Sequence, residues 1–396
     1  MKFAIVFSFL LILLSGCIGK PPEVEPPAAK FDPLTPVSWD RVDGWFLDRP
    51  SAAFAAFKQS CKAIGQREKW RTVCAEAAIF SPVTEDAARS FFEQYFQPYQ
   101  VRDEEGKVDG LITGYYGPEL SGSTVRTDEY KYPLYQQPKD LLVIDMGDLY
   151  PELGKYRLRG RVVGNRVVPY FERSKIDTEK SPLAGQELFW VRDPVELFFL
   201  HIQGSGRIRL PDGRRVMIGY ANQNGYPYQS IGKLLLDRNI MTRDQMSMQN
   251  IKAWVEKNPK EGQKLLAENP SYVFFRKLPN DIKFPPGALG IPLTPLRSLA
   301  VDPRTIPLGA PVFISTTFPG TDYPLKQLMV AQDTGGAIKG RVRADFFWGM
   351  GNEAGQIAGK MKQDGQLWVL LPKEVSDDQF FKDKTAKNET VGQVIN

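Results

Sequence analysis

The chain has one histidine, His201, in 396 residues, and only three cysteines. A zinc centre of the usual His/Cys kind and a Ser-His-Asp triad therefore have little to be built from. His201 lies in the apolar run Leu197-Phe198-Phe199-Leu200-His201-Ile202, where the expectation is a satisfied histidine on a strand. No charge of one sign dominates. A formal net charge of +5 is too mild to argue for nucleic acid, although it suits a polymer bearing carboxylates. The N-terminal apolar run, Phe3 to Leu14, is shorter than the ~20 residues a spanning helix needs. By elimination, carboxylates are the expected chemistry, and no metal or other cofactor is implied.

The composition describes a chain with a real core: 42% of residues are hydrophobic and 24% charged, a balance that excludes disorder. The length is enough for two domains. With 34 glycines and 31 prolines, turns and short strands should be frequent.

Lys2 followed by Phe3 to Leu14 reads as a signal peptide over residues 1–16. It ends in Leu14-Ser15-Gly16-Cys17, small residues before a cysteine, which resembles a bacterial lipobox and makes Cys17 the expected lipidation site. Ile18 rather than Asp at the next position directs such a lipoprotein to the outer membrane, on its periplasmic face. Residues 17–38, with six prolines between Pro21 and Pro36, read as a stiff tether. In an oxidising periplasm, Cys61 and Cys74 are expected to form a disulfide, the alternative being two buried thiols.

Periodicity then divides the body. Asp48 and Ser51 can cap a helix carrying Phe54, Phe57 and Cys61; Thr84 starts a second, with Phe91, Phe92, Tyr95 and Phe96 on a core face. From Leu111 to Gly219 short apolar or alternating runs are punctuated by turns such as Val163-Gly164-Asn165 and Pro211-Asp212-Gly213, which predicts an all-β unit. Helical patterns return from Ser230 and over Ile251 to Leu266. Strands follow Gly287, with a short helix over Asn352 to Met361 that turns Ala354, Ile357, Ala358 and Met361 inward. Helices at both ends of the β segment suggest that the middle unit is inserted into a first domain.

Asp333-Thr334-Gly335 is the tripeptide of aspartic proteases, but those enzymes need two facing copies and the chain has one. Asp333 follows an apolar strand and precedes Gly335-Gly336, so it can project a carboxylate into a cleft where a polymer approaches closely. Asp345 precedes Phe346-Phe347-Trp348, and Asp302 opens a proline-fixed loop. Taken alone, three aspartates at strand ends are as well explained by turns.

The longer text is more specific. "GIPLTPLRSLAVDPRTIPLGAPVFI" followed by "VAQDTGGAIKGRVRADFFWGMGNEAGQIAG", with "LITGYYGPELSGS", "RGRVVGNRVVPYFERSKID", "VELFFLHIQGSGRIRLPDGRRVMIGYANQNGYPYQSIGKLL" and "NPSYVFFRKL", resembles the membrane-bound lytic transglycosylase A (MltA) family over about Trp45 to Pro372. Gly117 departs from the pattern, standing where an acidic residue is expected. The resemblance implies a mainly β, α+β fold: a double-psi β-barrel domain (39–112 and 221–373) with a second β domain inserted (113–220), a groove between them, and a polar tail (374–396). It implies cleavage, without water, of the β-1,4 bond between N-acetylmuramic acid and N-acetylglucosamine in peptidoglycan, leaving 1,6-anhydromuramic ends. Asp333 matches the family's catalytic acid, and Asp345 and Asp302 its other signature aspartates. Glycan strands are then the partner, the membrane is reached through the lipid, and proteins of cell-wall synthesis or hydrolysis are further candidates.

Ordinary glycosidases use two carboxylates; here one could protonate the leaving oxygen and then take the O6 proton. It must start protonated, so burial or the nearby Asp345 should raise its pKa. Tyr115, Tyr116 and Trp348 suit sugar faces, and Gln203, Ser205 and Asn224 suit acetamido or hydroxyl groups, with Gly335 and Gly336 leaving room; for each, a core or turn role is an equal alternative. Two further readings compete: a glycan-binding lipoprotein without activity, against which the retained aspartates argue, and the aspartic protease.

Overall fold

The computed structural model describes residues 31–373 apart from 155 and 244. The signal peptide, Cys17, most of the tether and the tail from 374 lie outside the described residues. Among the described residues no helix is long and apolar enough to cross a membrane.

Six strands close on one another. Lys362–Pro372 pairs with Pro311–Thr317, which pairs with Pro324–Asp333; then come Ser298–Val301, Arg343–Met350 and Asp109–Gly117, and the last pairs back onto Lys362–Pro372. Two neighbouring pairs are parallel, Ser298–Val301 with Pro324–Asp333 and Arg343–Met350 with Asp109–Gly117. Closure removes the open edges that a short-stranded sheet would otherwise expose. The strand Phe96–Val101 extends the sheet beyond Lys362–Pro372, and Leu34–Pro36 pairs with it.

Three helices, Ser51–Ile64, Glu68–Ile79 and Glu85–Tyr95, cover one flank, where Trp45, Phe57, Phe92, Phe96 and Trp368 are essentially inaccessible. The third starts as expected: Thr84 Oγ1 accepts from Ala87 N at 3.1 Å. The first does not. Its amide Ser51 N donates to Glu85 Oε2 (2.9 Å) across the helix pair, and Asp48 is instead buried against the barrel, accepting from Leu328 N at 2.8 Å. A sulfur–sulfur bond of 2.10 Å joins Cys61 to Cys74 across the first two helices.

The second unit carries a six-stranded sheet in the order Val273–Lys277, Arg215–Gln223, Ser205–Arg209, Glu119–Ser123, Glu187–Val191, Tyr132–Tyr135. A bridge from Gln136 to Phe275 draws its outer strands together. Pro118 alone separates the barrel strand Asp109–Gly117 from Glu119–Ser123, so the two units are joined by nearly continuous backbone.

Three expectations need correction. The boundary expected at 220 falls inside the strand Arg215–Gln223, and Val273–Lys277 completes the second sheet rather than the barrel. The expected all-β unit contains a helix, Pro194–Gln203, and His201 is on it rather than on a strand. Asp193 caps this helix through Val195 N and Glu196 N, Pro194 opens it, and Gly204 at φ 75° closes it; those local signals outweigh an apolar run whose length fits either element. In the helix Gly351–Ala358, Ala354 and Ala358 are buried as expected, but Ile357 faces outward, 41% exposed, because the helix packs on one narrow face.

Candidate active site

Asp333 ends its barrel strand with a half-buried carboxyl group. The residue before it is pinned from behind. Gln332 is fully buried and its Nε2 donates to Ala56 O (3.0 Å) and Ser60 Oγ (2.9 Å) on the first helix, while Ser298 Oγ donates to its Oε1. Strand alternation then aims Asp333 to the opposite side. Three donors converge there: Thr334 N and Ala288 N reach Oδ1, each at 2.9 Å, and Tyr115 OH reaches Oδ2 at 3.1 Å. Ala288 gets this close because Gly287 has no side chain; a Cβ on it would meet Gln332 O at 2.4 Å. Burial raises the Asp333 pKa, and the three donors oppose the rise.

Asp345 lies in the middle of Arg343–Met350. The short strand Ser298–Val301 runs between the two aspartates, and its Ala300 is in register with Asp333 on one side and Asp345 on the other. Thr113, in register with Asp345 on the next strand, donates to Asp345 Oδ1 and accepts from Arg343 Nη2 at 2.8 Å. Burial pushes Asp345 up to about 6, with Thr113 and Arg343 opposing and the negative charge of Asp333 adding to it. The expected coupling between the two carboxyls is present, but it acts on Asp345, whereas burial governs Asp333. Tyr115 feels both: burial and then the two carboxylates hold its hydroxyl protonated, so it remains a donor. Its ring rests on Phe347, with centroids 5.1 Å apart.

Asp302 has a different environment. It is 1% exposed and held by Arg304, whose Nε lies 3.0 Å from Oδ1 and whose Nη2 lies 2.5 Å from Oδ2; Gly340 N donates to Oδ2 at 3.0 Å. The guanidinium keeps this carboxyl ionised well below the usual range. It ties the loop after Asp333 to the central strand and has no proton to give near neutrality.

The other expected site residues divide. Tyr116 and Gln203 line a cavity between the barrel and the second unit, together with Gly114, Phe199, Tyr228 and Met248, and Gln203 Oε1 accepts from Tyr116 N at 3.4 Å. Tyr116 is itself 7% exposed and packs on Gly355 and Ala358. Trp348 belongs to packing: its ring lies 4.6 Å from Phe346 and its Nε1 3.2 Å from Met361 Sδ. Asn224 does not face the groove. It is 1% exposed and spends its amide on Phe171 O, Pro270 O and Tyr272 N, bracing a turn of the second unit. Ser205 begins a strand opposite Gly219. A Cβ on Gly335 would strike Ile338, whereas Gly336 faces open space beside Asp333. At Gly117, where the pattern departs, the Met350 thioether occupies the space a Cβ would take.

Thr113, Arg343 and Ala288 were not anticipated. Only Gly287, after Pro285-Pro286, hinted at a close backbone approach; nothing local marks the other two. His201 takes no part. It is buried with Nδ1 2.9 Å from Arg173 Nη2, and burial with that cation keeps it neutral.

Comparison with known proteins adds an independent line. Residues 111–276 match the MltA specific insert domain, and residues 297–371 match the 3D domain. Membrane-bound lytic murein transglycosylase A of Escherichia coli K12 is 33% identical over 276 residues, covering 68% of this chain and 67% of the relative. The crystal structure of MltA from Neisseria gonorrhoeae superposes with a TM-score of 0.76 at 37% identity, covering 87% of this chain and 92% of that one. The structure of E. coli MltA with bound chitohexaose superposes with a TM-score of 0.66 at 27% identity, covering 89% and 99% respectively.

Proposed function

The chain belongs to the MltA family of membrane-bound lytic murein transglycosylases, and we propose that Asp333 performs both proton transfers of its reaction. The enzyme is a peptidoglycan lytic transglycosylase: it breaks the β-1,4 bond between N-acetylmuramic acid and N-acetylglucosamine and leaves a 1,6-anhydromuramic end, in cell-wall turnover. In the first half, neutral Asp333 gives its proton to the glycosidic oxygen as the bond to the anomeric carbon breaks. In the second, the O6 hydroxyl of the same muramic residue bonds to that carbon and returns its proton to Asp333. No water is consumed, and the carboxyl ends as it began.

The observation that carries this reading is the balance at Asp333. Burial favours the neutral acid needed at the start, while Thr334 N, Ala288 N and Tyr115 OH stabilise the carboxylate formed midway. Asp345, raised to about 6, is the secondary carboxyl, which shares the local charge and is steadied by Thr113. Asp302 is a positioning residue that fixes the loop beside Asp333. The six-stranded closure with two parallel pairs supports the double-psi barrel. The cavity lined by Tyr116 and Gln203 supports a glycan groove between that barrel and the inserted domain, and the E. coli relative has been solved with bound chitohexaose.

Mass spectrometry of what the enzyme releases from peptidoglycan tests the chemistry. Products one water lighter than those of hydrolysis are expected; reducing muramic ends would overturn it. Attachment through lipidated Cys17 to the outer membrane accounts for the membrane-bound character of the family. Labelled fatty acid should fail to join Cys17→Ala, and incorporation at the wild-type level would refute the anchor.

A further inference from the structure

A second cavity, of about 520 Å³, opens between the second sheet and the start of the helix Gly351–Ala358. Neither Asp333 nor Asp345 lines it. Its wall is a sheet face built by register: Arg207 beside Glu119, Arg209 beside Ser121, and Arg215 directly opposite Arg209 on the antiparallel neighbour. Like charges facing each other across a ladder are unfavourable. All three guanidinium groups turn to one carboxylate, Glu119, at 2.9, 3.8 and 3.1 Å from Arg207, Arg209 and Arg215. Of the other acids lining the cavity, Glu196 shares Lys252 with Asp193, each at 2.7 Å, and Glu353 is exposed at the rim. Arg207 Nε is buried with no hydrogen-bond partner. The cavity as a whole carries as many carboxylates as guanidiniums, but on the sheet wall three guanidiniums share Glu119, and Arg209 and Arg215 are 53% and 55% exposed.

We propose that this basic face is a subsite for a carboxylate of the peptide stems carried by muramic acid. The proposal rests on the reaction assigned above. Met350 lines the cavity on the same strand as Asp345, about 17 Å away at ~3.3 Å per residue. A stem of about five residues spans that distance at ~3.5 Å each, and its free carboxylates match paired guanidiniums. The subsite would make the enzyme favour glycan that still bears peptide.

The test uses two substrates: glycan strands with stems intact, and the same strands after an amidase has removed the stems. Replacing both outer arginines, Arg209→Gln with Arg215→Gln, should raise KM on stemmed strands about tenfold, with kcat little changed and no change on stripped strands. Glu119→Gln, which removes the competing anion, should lower KM on stemmed strands. An equal change on both substrates, or none on either, overturns the subsite. Should the double variant not fold, Arg209→Gln alone, at a side chain 53% exposed, decides the same question. Loss of anhydro products from the wild type on both substrates would instead strike the reaction assignment, so the two failures are separable.

Discussion

Asp302 and the pair Asp333 and Asp345 surround one short strand, Ser298–Val301, yet their carboxyl groups are driven in opposite directions. Asp302 is the more deeply buried and is the one held ionised, because Arg304 and Gly340 N supply charge and donors at once. Asp333 and Asp345 lean towards the neutral form because burial of their carboxyls outweighs their partners: only neutral donors reach Asp333, and Arg343 reaches Asp345 chiefly through Thr113. Burial raises all three carboxyls, and the sign depends on whether the partners outweigh it: Arg304 does at Asp302, and the donors at Asp333 and Asp345 do not. One end of the strand carries an ionised carboxyl, and its flanks carry the two that lean towards the neutral form.

The sharpest break of this contrast is Asp333→Asn. It keeps shape and removes proton transfer, so turnover of peptidoglycan should fall about 10²–10⁴-fold while the folded state persists. A variant that digests at near the wild-type rate would move the chemistry elsewhere. Next in size is the disulfide. Reducing Cys61–Cys74 releases a short loop worth about 3 kcal/mol, which should lower the unfolding midpoint without altering the pH profile of activity; an unchanged midpoint would refute the estimate.

Asp302→Asn should act in the opposite sense to Asp333→Asn. Loss of the charge-assisted contacts to Arg304 and Gly340 should cost about 2 kcal/mol in denaturant titration at neutral pH. The sign with pH follows from the lowered pKa: the contribution of Asp302 is present above its unfolded value of about 4 and fades as pH falls through the folded one. Asp345 has the reverse dependence. Its folded pKa of about 6 exceeds the unfolded value of about 4, so its contribution is full below about pH 4 and lost as pH rises through 6. Asp345→Asn should therefore flatten the gain in stability on mild acidification, with activity down only about tenfold. The smallest effect belongs to Tyr115→Phe, which removes one of three donors from Asp333; the alkaline limb of the rate profile, where neutral Asp333 is lost, should move up in pH, and a downward move would contradict the assigned hydrogen bond.

Much of the frame was legible because its causes are local. Thr84, Ser230 and the Asp212-Gly213 turn carry their own hydrogen-bonding or dihedral preferences, and each marks an element boundary in the structure. The misread segment, Val195 to Ile202, has an apolar content that suits strand and helix alike, and its flanking Asp193, Pro194 and Gly204 were the better guide. Asn224 misled for another reason: a polar side chain near conspicuous tyrosines looks like a ligand donor until its turn is folded around it.

By itself the sequence narrowed which carboxyls could matter, offered two cysteines for a disulfide with two buried thiols as the alternative, and marked most of the runs that become strands, since these depend on neighbours a few residues away. Only the tertiary structure decided what surrounds each carboxyl. Thr113 meets Asp345 across 232 residues, Tyr115 meets Asp333 across 218, and Ala288 meets Asp333 across 45. A pKa is set by solvent exclusion and by charges within a few ångströms, and those neighbours exist only once the barrel has closed.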